Sequence, residues 1–274
     1  MMKNLLIAAC ILVVSACNIS SKKEQENAKN VKVELQTAKG NIILQLSDET
    51  PLHRDNFIKL VNQKYFDGIL FHRVINGFGI QSGDPDSKNA QPGEALGNGG
   101  PGYTIPAEIN TKLFHKRGAL NAARDNNPDR ASAGSQFFIV QGKVQNDSTL
   151  NKAETRINGW LAEHAFVNDP ANKAIRDSLI SALKEEDGTK LMQWADLVYK
   201  GGKTYTNYDS YQIPEEHRAV YKEIGGAPHL DQNYTVFGEV LEGMDIVDQI
   251  AAMEVDSLDR PVEDVKIITA RIIK

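Results

Sequence analysis

A mainly β fold carrying one helical segment is what the sequence predicts, and three observations carry that prediction. Residues 31–35 and 41–46 alternate apolar and polar, the period of a half-buried strand, with Ala38-Lys39-Gly40 between them as a hairpin turn. Residues 71–84 read as a strand, a tight Asn76-Gly77 turn and a second strand. Residues 134–140 read as a further strand, in which Phe137 and Phe138 point to opposite faces. Between 141 and 226 the period changes, and short apolar stripes recur at helical spacing.

The 274 residues allow one large domain, or a domain with a sizeable insertion. A net charge of -5 disfavours nucleic acid as a partner. The two cysteines, Cys10 and Cys17, both fall in the first stretch, so the folded part has no disulfide framework and no cysteine-based metal site. The six histidines form no His-x-x-x-His or His-Glu-x-x-His pattern, and neither a metal nor a cofactor is expected.

At the N-terminus, Lys3, an apolar run from Leu5 to Val14 and the small pair Ser15-Ala16 read as a signal peptide over 1–16. The run is shorter than a membrane-spanning helix requires. Val14-Ser15-Ala16-Cys17 resembles the bacterial lipobox, which implies cleavage before Cys17 and lipidation of its thiol. The other reading is an ordinary cut near Ala16, which leaves a reactive thiol unused. Residues 17–30 are polar, lack an apolar period and read as a flexible tether behind the lipidated cysteine. The expected location is extracytoplasmic and lipid-anchored, on the periplasmic side or the cell surface.

A helix is predicted across 48–63, with Thr50 as N-cap, Pro51 at the first position, and Leu52, Phe57, Leu60 and Val61 on one stripe. In the 71–84 stretch Arg73 sits inside an apolar segment, where a charge is costly without a task or a partner. Residues 84–102 form a long loop rich in Gly, Pro and Asn. Its glycines lack the Gly-Lys-Ser/Thr ending of a phosphate-binding loop. Extended chain resumes over 103–108, and the small side chains of Ala119, Ala122 and Ala123 allow another chain to approach closely.

Four segments in this order resemble the cyclophilin family of peptidyl-prolyl cis/trans isomerases. They are Phe71-His72-Arg73-Val74-Ile75 with Gly77-Phe78 and Gln81-Ser82-Gly83-Asp84; Gly118-Ala119-Leu120 with Ala122-Ala123-Arg124; Gly134-Ser135-Gln136-Phe137-Phe138-Ile139; and Pro228-His229-Leu230-Asp231 with Tyr234-Thr235-Val236-Phe237-Gly238-Glu239-Val240. The resemblance covers 31–140 and 227–274. It implies a closed eight-stranded antiparallel β-barrel capped by two helices, the second over 243–251. It also implies a catalytic role for Arg73, a proline cup of Phe78, Phe138 and Leu230, and Gln81 and Gln136 beside the substrate carbonyl and the arginine. Ala123 and Arg124 would bind substrate backbone, and Tyr234 would replace a histidine common in eukaryotic members. The implied partners are proline-containing polypeptides. His229 stands where some members carry a tryptophan important for cyclosporin, so weaker drug binding is expected. Gly79 and Ala122 stand where methionine is common, which predicts a wider or shallower pocket.

The chemistry fits an always-charged, rigid donor such as Arg73. Twisting an X-Pro bond returns the lone pair to the proline nitrogen, and a donor placed over that nitrogen stabilises the twisted state alone. No nucleophile or proton carrier is required.

Residues 141–226 interrupt the resemblance as a helical insertion. Ile157, Trp160, Leu161, Ala165 and Phe166 suggest one helix. Ala174, Ile175, Leu179, Ile180 and Leu183 suggest a second, begun by Asp169-Pro170 and ended by Gly188. Leu191, Trp194, Leu197 and Val198 suggest a third, stopped by Gly201-Gly202, and Pro214 opens a fourth through Tyr221 and Ile224. A self-packed module is one reading; a face that binds clients or a protein partner is the other. Two functions follow: an isomerase that assists folding of secreted or envelope proteins, or a non-catalytic client-binding chaperone on the same barrel.

Overall fold

The computed structural model describes residues 30–185 and 187–274. The signal peptide over 1–16, the lipidated Cys17 and the tether up to residue 29 lie outside the described residues.

Among the described residues ten strands form in chain order: β1 (Lys32–Thr37), β2 (Gly40–Leu46), β3 (Arg73–Ile75), β4 (Gly79–Ser82), β5 (Thr104–Ile105), β6 (Ala119–Ala122), β7 (Ser132–Ala133), β8 (Phe137–Val140), β9 (Val236–Glu242) and β10 (Ile267–Ile273). Eight of them make one antiparallel sheet in the order β10-β1-β2-β9-β6-β8-β4-β3, while β5 and β7 pair separately. The sheet curls until the chain entering β3 meets the chain entering β10. Phe71 N donates to Val265 O at 2.9 Å, and Ile267 N to Ile69 O at 2.8 Å. The strands fill the concave side with Val33, Leu35, Ile42, Leu44, Val74, Ile80, Leu120 and Phe137.

Two helices cover this core. Helix α1 (Pro51–Asn62) buries Phe57, Leu60 and Val61, while Leu52 is exposed rather than part of the stripe. Thr50 is not the side-chain cap either; its hydroxyl is buried without a partner. The Glu108 carboxylate closes the helix N-terminus instead, accepting from Leu52 N at 3.0 Å and His53 N at 2.9 Å. An anion there suits both the free N–H groups and the helix dipole. At the other cap, Val247 and Ile250 of the late helix 244–251 reach the same core.

The chain between β8 and β9 is helical. It contains α2 (Asp147–Asn168), α3 (Lys173–Lys184), α4 (Gly188–Gly202) and α5 (Glu215–Glu223), and the late helix is therefore α6 (Met244–Ala251). Asn146 and Thr149 form a reciprocal capping box at the start of α2. Gly188 does not end α3. It is the first residue of α4, because the Asp187 carboxylate accepts from Thr189 N and Lys190 N and caps the next helix. Gly201 and Gly202 are the last turn of α4 rather than a stop beyond it. A Cβ on either would strike the Phe166 ring or Glu163, so they let α4 lie directly on α2. Val167, Leu179 and Val198 meet there as a small core of the helices themselves.

Both ends of this excursion are pinned at one point. A Cβ on Gly142 would overlap the Gly226 backbone, and both residues have positive φ. Only glycine permits so close an approach with that backbone geometry.

Candidate active site

Strand register builds the site on the convex face of the sheet. Arg73 of β3 faces Gln81 of β4, Gln81 faces Phe138 of β8, and Phe138 faces Asn121 of β6. Side chains paired across antiparallel strands share a face, so these four form one row. Alternation sends their neighbours Val74, Ile80, Phe137 and Leu120 into the core.

The apolar part of the row is a cup outside the main core. Phe138, Ala123 and Leu230 are buried in one cluster with Ala119, Val140, Ala227 and Val236, and Phe78, Tyr234 and Trp160 pack against it. The Phe78 and Phe138 rings stack with centroids 6.0 Å apart, and Tyr234 meets Phe138 edge-on at 6.1 Å. His229 lies at the rim, 6.2 Å from the Phe78 ring.

The polar part is organised by Gln136. Its Nε2 donates to Gly97 O and Gly99 O, both at 2.8 Å, and its Oε1 accepts from Gln81 Nε2 at 3.1 Å. The glycine-rich loop is thus a strut for this amide, which fits its lack of a phosphate-binding signature. Arg73 is about half exposed, 45%, and its nearest carboxylate is Asp259 at 3.6 Å. An exposed pair of that length contributes about 0–1 kcal/mol and does not lock the guanidinium in place. Arg124 donates to Asn233 O at 3.0 Å and to Asn233 Oδ1 at 2.8 Å, and lies 4.7 Å above the Tyr234 ring. Burial lowers its pKa.

Of the residues singled out from the sequence, Arg73, Phe78, Gln81, Ala123, Arg124, Gln136, Phe138, Leu230 and Tyr234 lie around this row and cup, Cys17 lies outside the described residues, and the structure adds some that the sequence reading missed. Trp160 reaches the cup from α2, the helix that follows β8, packing back on the cluster that holds Phe138 and Val140. Behind the cup, Asp231 accepts from His115 N at 3.0 Å, His115 Nδ1 at 2.8 Å and the Tyr221 hydroxyl at 2.8 Å. All three residues are buried, and the His115 ring stacks 6.5 Å from Phe138. Tyr221 belongs to α5, so the helical excursion is bonded to the sheet through this carboxylate. Burial, and next the Asp231 charge, hold the Tyr221 hydroxyl well above its usual pKa and keep it a donor.

The two small residues do not widen the cup. Ala122 pairs with Phe137 and belongs to the main core. Gly79 does face outward, but a Cβ there would collide with the Ile139 carbonyl oxygen, so backbone from β8 already occupies that space. Gly79→Met is expected to destabilise the protein by about 1–3 kcal/mol through overpacking, without raising turnover. Urea unfolding checks this; an unchanged midpoint would contradict it.

Three histidines near the site make stability depend on pH. Burial lowers His72, His164 and His229 to about 4, against 6.5 when free, and His72 has no hydrogen-bond partner on either ring nitrogen. Above pH 6.5 both folded and unfolded chains hold these rings neutral. Between 6.5 and 4 the unfolded chain binds protons first, so stability falls as pH falls through that window. The slope is at most about 1.4 kcal/mol per pH unit for buried His72, and smaller for the partly exposed His164 and His229. Urea midpoints measured from pH 7 to 4.5 are expected to fall steadily; a flat series would refute the assignment.

The family described as cyclophilin type peptidyl-prolyl cis-trans isomerase matches residues 32–159 and 198–272, a break that falls inside the helical excursion. A putative peptidyl-prolyl cis-trans isomerase of Staphylococcus haemolyticus is 30% identical over 248 residues, covering 90% of this chain and 92% of its own. One from Staphylococcus epidermidis is 32% identical over 248 residues, covering 90% and 93%. Among solved structures, a Cryptosporidium parvum cyclophilin type peptidyl-prolyl cis-trans isomerase superposes with TM-score 0.51 at 19% identity, covering 89% of this chain and 98% of its own. At that identity the superposition speaks for the fold, a mainly β curled sheet with helices.

Proposed function

The chain belongs to the cyclophilin-type peptidyl-prolyl cis-trans isomerase family, and from that premise we propose that it isomerises X-Pro bonds in secreted or envelope proteins while anchored to a membrane through lipidated Cys17. In this reading Phe78, Phe138, Leu230 and Tyr234 receive the proline ring, and Ala123 and Arg124 bind the backbone preceding it. Gln81, oriented by the Gln136 amide, holds the carbonyl side with its second Nε2 hydrogen, and Arg73 donates to the proline nitrogen. The observation that carries the reading is the in-register row Arg73, Gln81, Phe138, which sets a half-exposed cation beside an apolar cup.

The mechanism follows from the amide bond. Planarity comes from delocalisation of the nitrogen lone pair into the carbonyl, and uncatalysed X-Pro rotation takes tens of seconds or more. At the twisted midpoint the nitrogen is pyramidal and its lone pair is localised. A guanidinium donor gains a hydrogen bond there that the planar ground state cannot offer, so its contribution is to the barrier. The apolar cup holds the ring while the preceding carbonyl turns.

The test is a proline-limited refolding reaction with catalytic amounts of the protein. Acceleration that saturates with client is expected; no acceleration would leave a client-binding role on the same face. The anchor is tested by fractionating cells that express the full chain. A Cys17→Ala variant is expected to leave the membrane fraction, and its retention there would exclude lipidation at this residue.

A further inference from the structure

A second recess opens beside the cup. It lies between the loop after β6 and the inserted helices, encloses about 280 Å³, and is lined by Arg124, Arg130, Trp160, Glu163, His164 and Tyr234 among others. Arg124, Tyr234 and Trp160 border both this recess and the proline cup, so a chain seated in one continues into the other.

The recess has an unbalanced charge. Arg124 donates to Asn233 O, Asn233 Oδ1 and Asp125 O, and Arg130 to Gln232 O at 2.5 Å. Each of these acceptors is neutral. Among the described residues neither guanidinium sits in an ion pair. The carboxylates of the same loop are turned elsewhere: Asp129 to Arg176 at 2.6 Å, and Asp125 to the Asn127 side chain at 2.5 Å. Glu163 is the one carboxylate among the lining residues, and it leans on Gly202 of α4. His164 is held neutral near pH 7, by burial and then by the fields of Arg130 and Arg124. Burial, with Arg124 adding to it, pulls the Arg130 pKa down to about 10, which still leaves it charged at pH 7. Two fixed cations thus face one carboxylate in a half-enclosed space, where charge is weakly screened.

Resting on the isomerase reading above, we propose that this recess is a substrate subsite that takes an acidic side chain of the client, close in sequence to the isomerised proline, on Arg124 and Arg130. The inserted helices then serve as its far wall, and they give the enzyme a preference for clients with carboxylates beside proline. A carboxylate restores the ion pair that both guanidinium groups lack, and bidentate acceptance matches their geometry.

The test compares two proline peptides that differ only in glutamate or glutamine on both flanks of the proline. Binding to the full chain is read by calorimetry and by tryptophan fluorescence, since Trp160 lines the recess. The glutamate peptide is expected to bind about tenfold more tightly at low salt, a preference that shrinks as salt rises. In Arg130→Gln the ratio falls to about one, and in Arg130→Lys most of it remains. Equal affinities in wild type, no measurable binding of the glutamate peptide, or an intact ratio in folded Arg130→Gln each overturn the subsite. Because the readout is binding, it is independent of turnover. If wild type binds with the charge preference but isomerises neither peptide, the subsite stands and the isomerase reading falls.

Discussion

An Arg73→Ala variant is expected to lose about 10²–10³-fold in kcat/KM for X-Pro isomerisation, the scale of removing one donor aimed at a developing charge. Its folding stability is expected to stay within about 0.5 kcal/mol of wild type. The two halves of this prediction share one origin. Arg73 is half exposed, and its nearest carboxylate, Asp259, stands 3.6 Å away, so the fold gains little from it. Its register opposite Gln81, which in turn faces Phe138, puts it on the same face of the sheet as the cup, within reach of a seated substrate. The loss is expected in kcat rather than KM, because the planar substrate offers no lone pair for the guanidinium to meet. Arg73→Lys keeps the charge but not the planar fork, and is expected to recover only part of the rate. Equal rates for wild type and Arg73→Ala in a protease-free peptide assay would remove Arg73 from the chemistry.

The largest effect on stability is expected at Asp231. In Asp231→Ala the His115 amide and ring, together with the Tyr221 hydroxyl, lose their shared acceptor inside a buried site. Stranding buried partners in this way costs about 3–5 kcal/mol. Tyr221→Phe removes a single donor and is expected to cost about 1–2 kcal/mol. Tyr221 is the polar tie between α5 and the turn carrying Leu230, so hydrogen exchange should quicken first across α5 in both variants. Unfolding curves and residue-resolved exchange measure the two effects. Protection of α5 unchanged in Asp231→Ala would show that apolar packing alone holds the insertion in place.

Part of the site was legible in the sequence from strand alternation, and the rest from the resemblance of the segments around Phe78, Arg124, Gln136, Leu230 and Tyr234 to the family. Phe137 and Phe138 are consecutive on a strand, so alternation sends them to opposite faces without tertiary information, and the fold puts Phe137 in the core and Phe138 in the cup. Arg73, Phe78 and Gln81 lie on one hairpin, so their relative placement follows from register. The helix stripes of 174–183 and 191–198 were readable in part: Ile175, Leu179, Leu183, Leu191, Trp194 and Val198 converge with Val167, while Ala174 and Leu197 are exposed because they fall on the solvent side of their helices. The misread signals were those with a local and a distant explanation. Gly201 and Gly202 resemble a helix stop, but the rings and chains of α2 require them. Thr50 resembles an N-cap, but Glu108 takes that position from across the fold.

The sequence by itself determined a mainly β chain, its hairpins, the opposite faces of Phe137 and Phe138 and the presence of a helical excursion. These follow from the periodicity of strands and helices and from turn chemistry, which act over a few residues. Only the tertiary structure decided that Trp160 packs on the cup and that Tyr221 bonds to Asp231 behind it. It also decided that Gly79 faces a backbone carbonyl rather than a void, and that Arg124 and Arg130 share a recess. Each of those contacts joins segments whose spacing in the chain carries no period. They form only because the sheet curls and the helices fold back over its convex face, which brings distant side chains within a few ångströms.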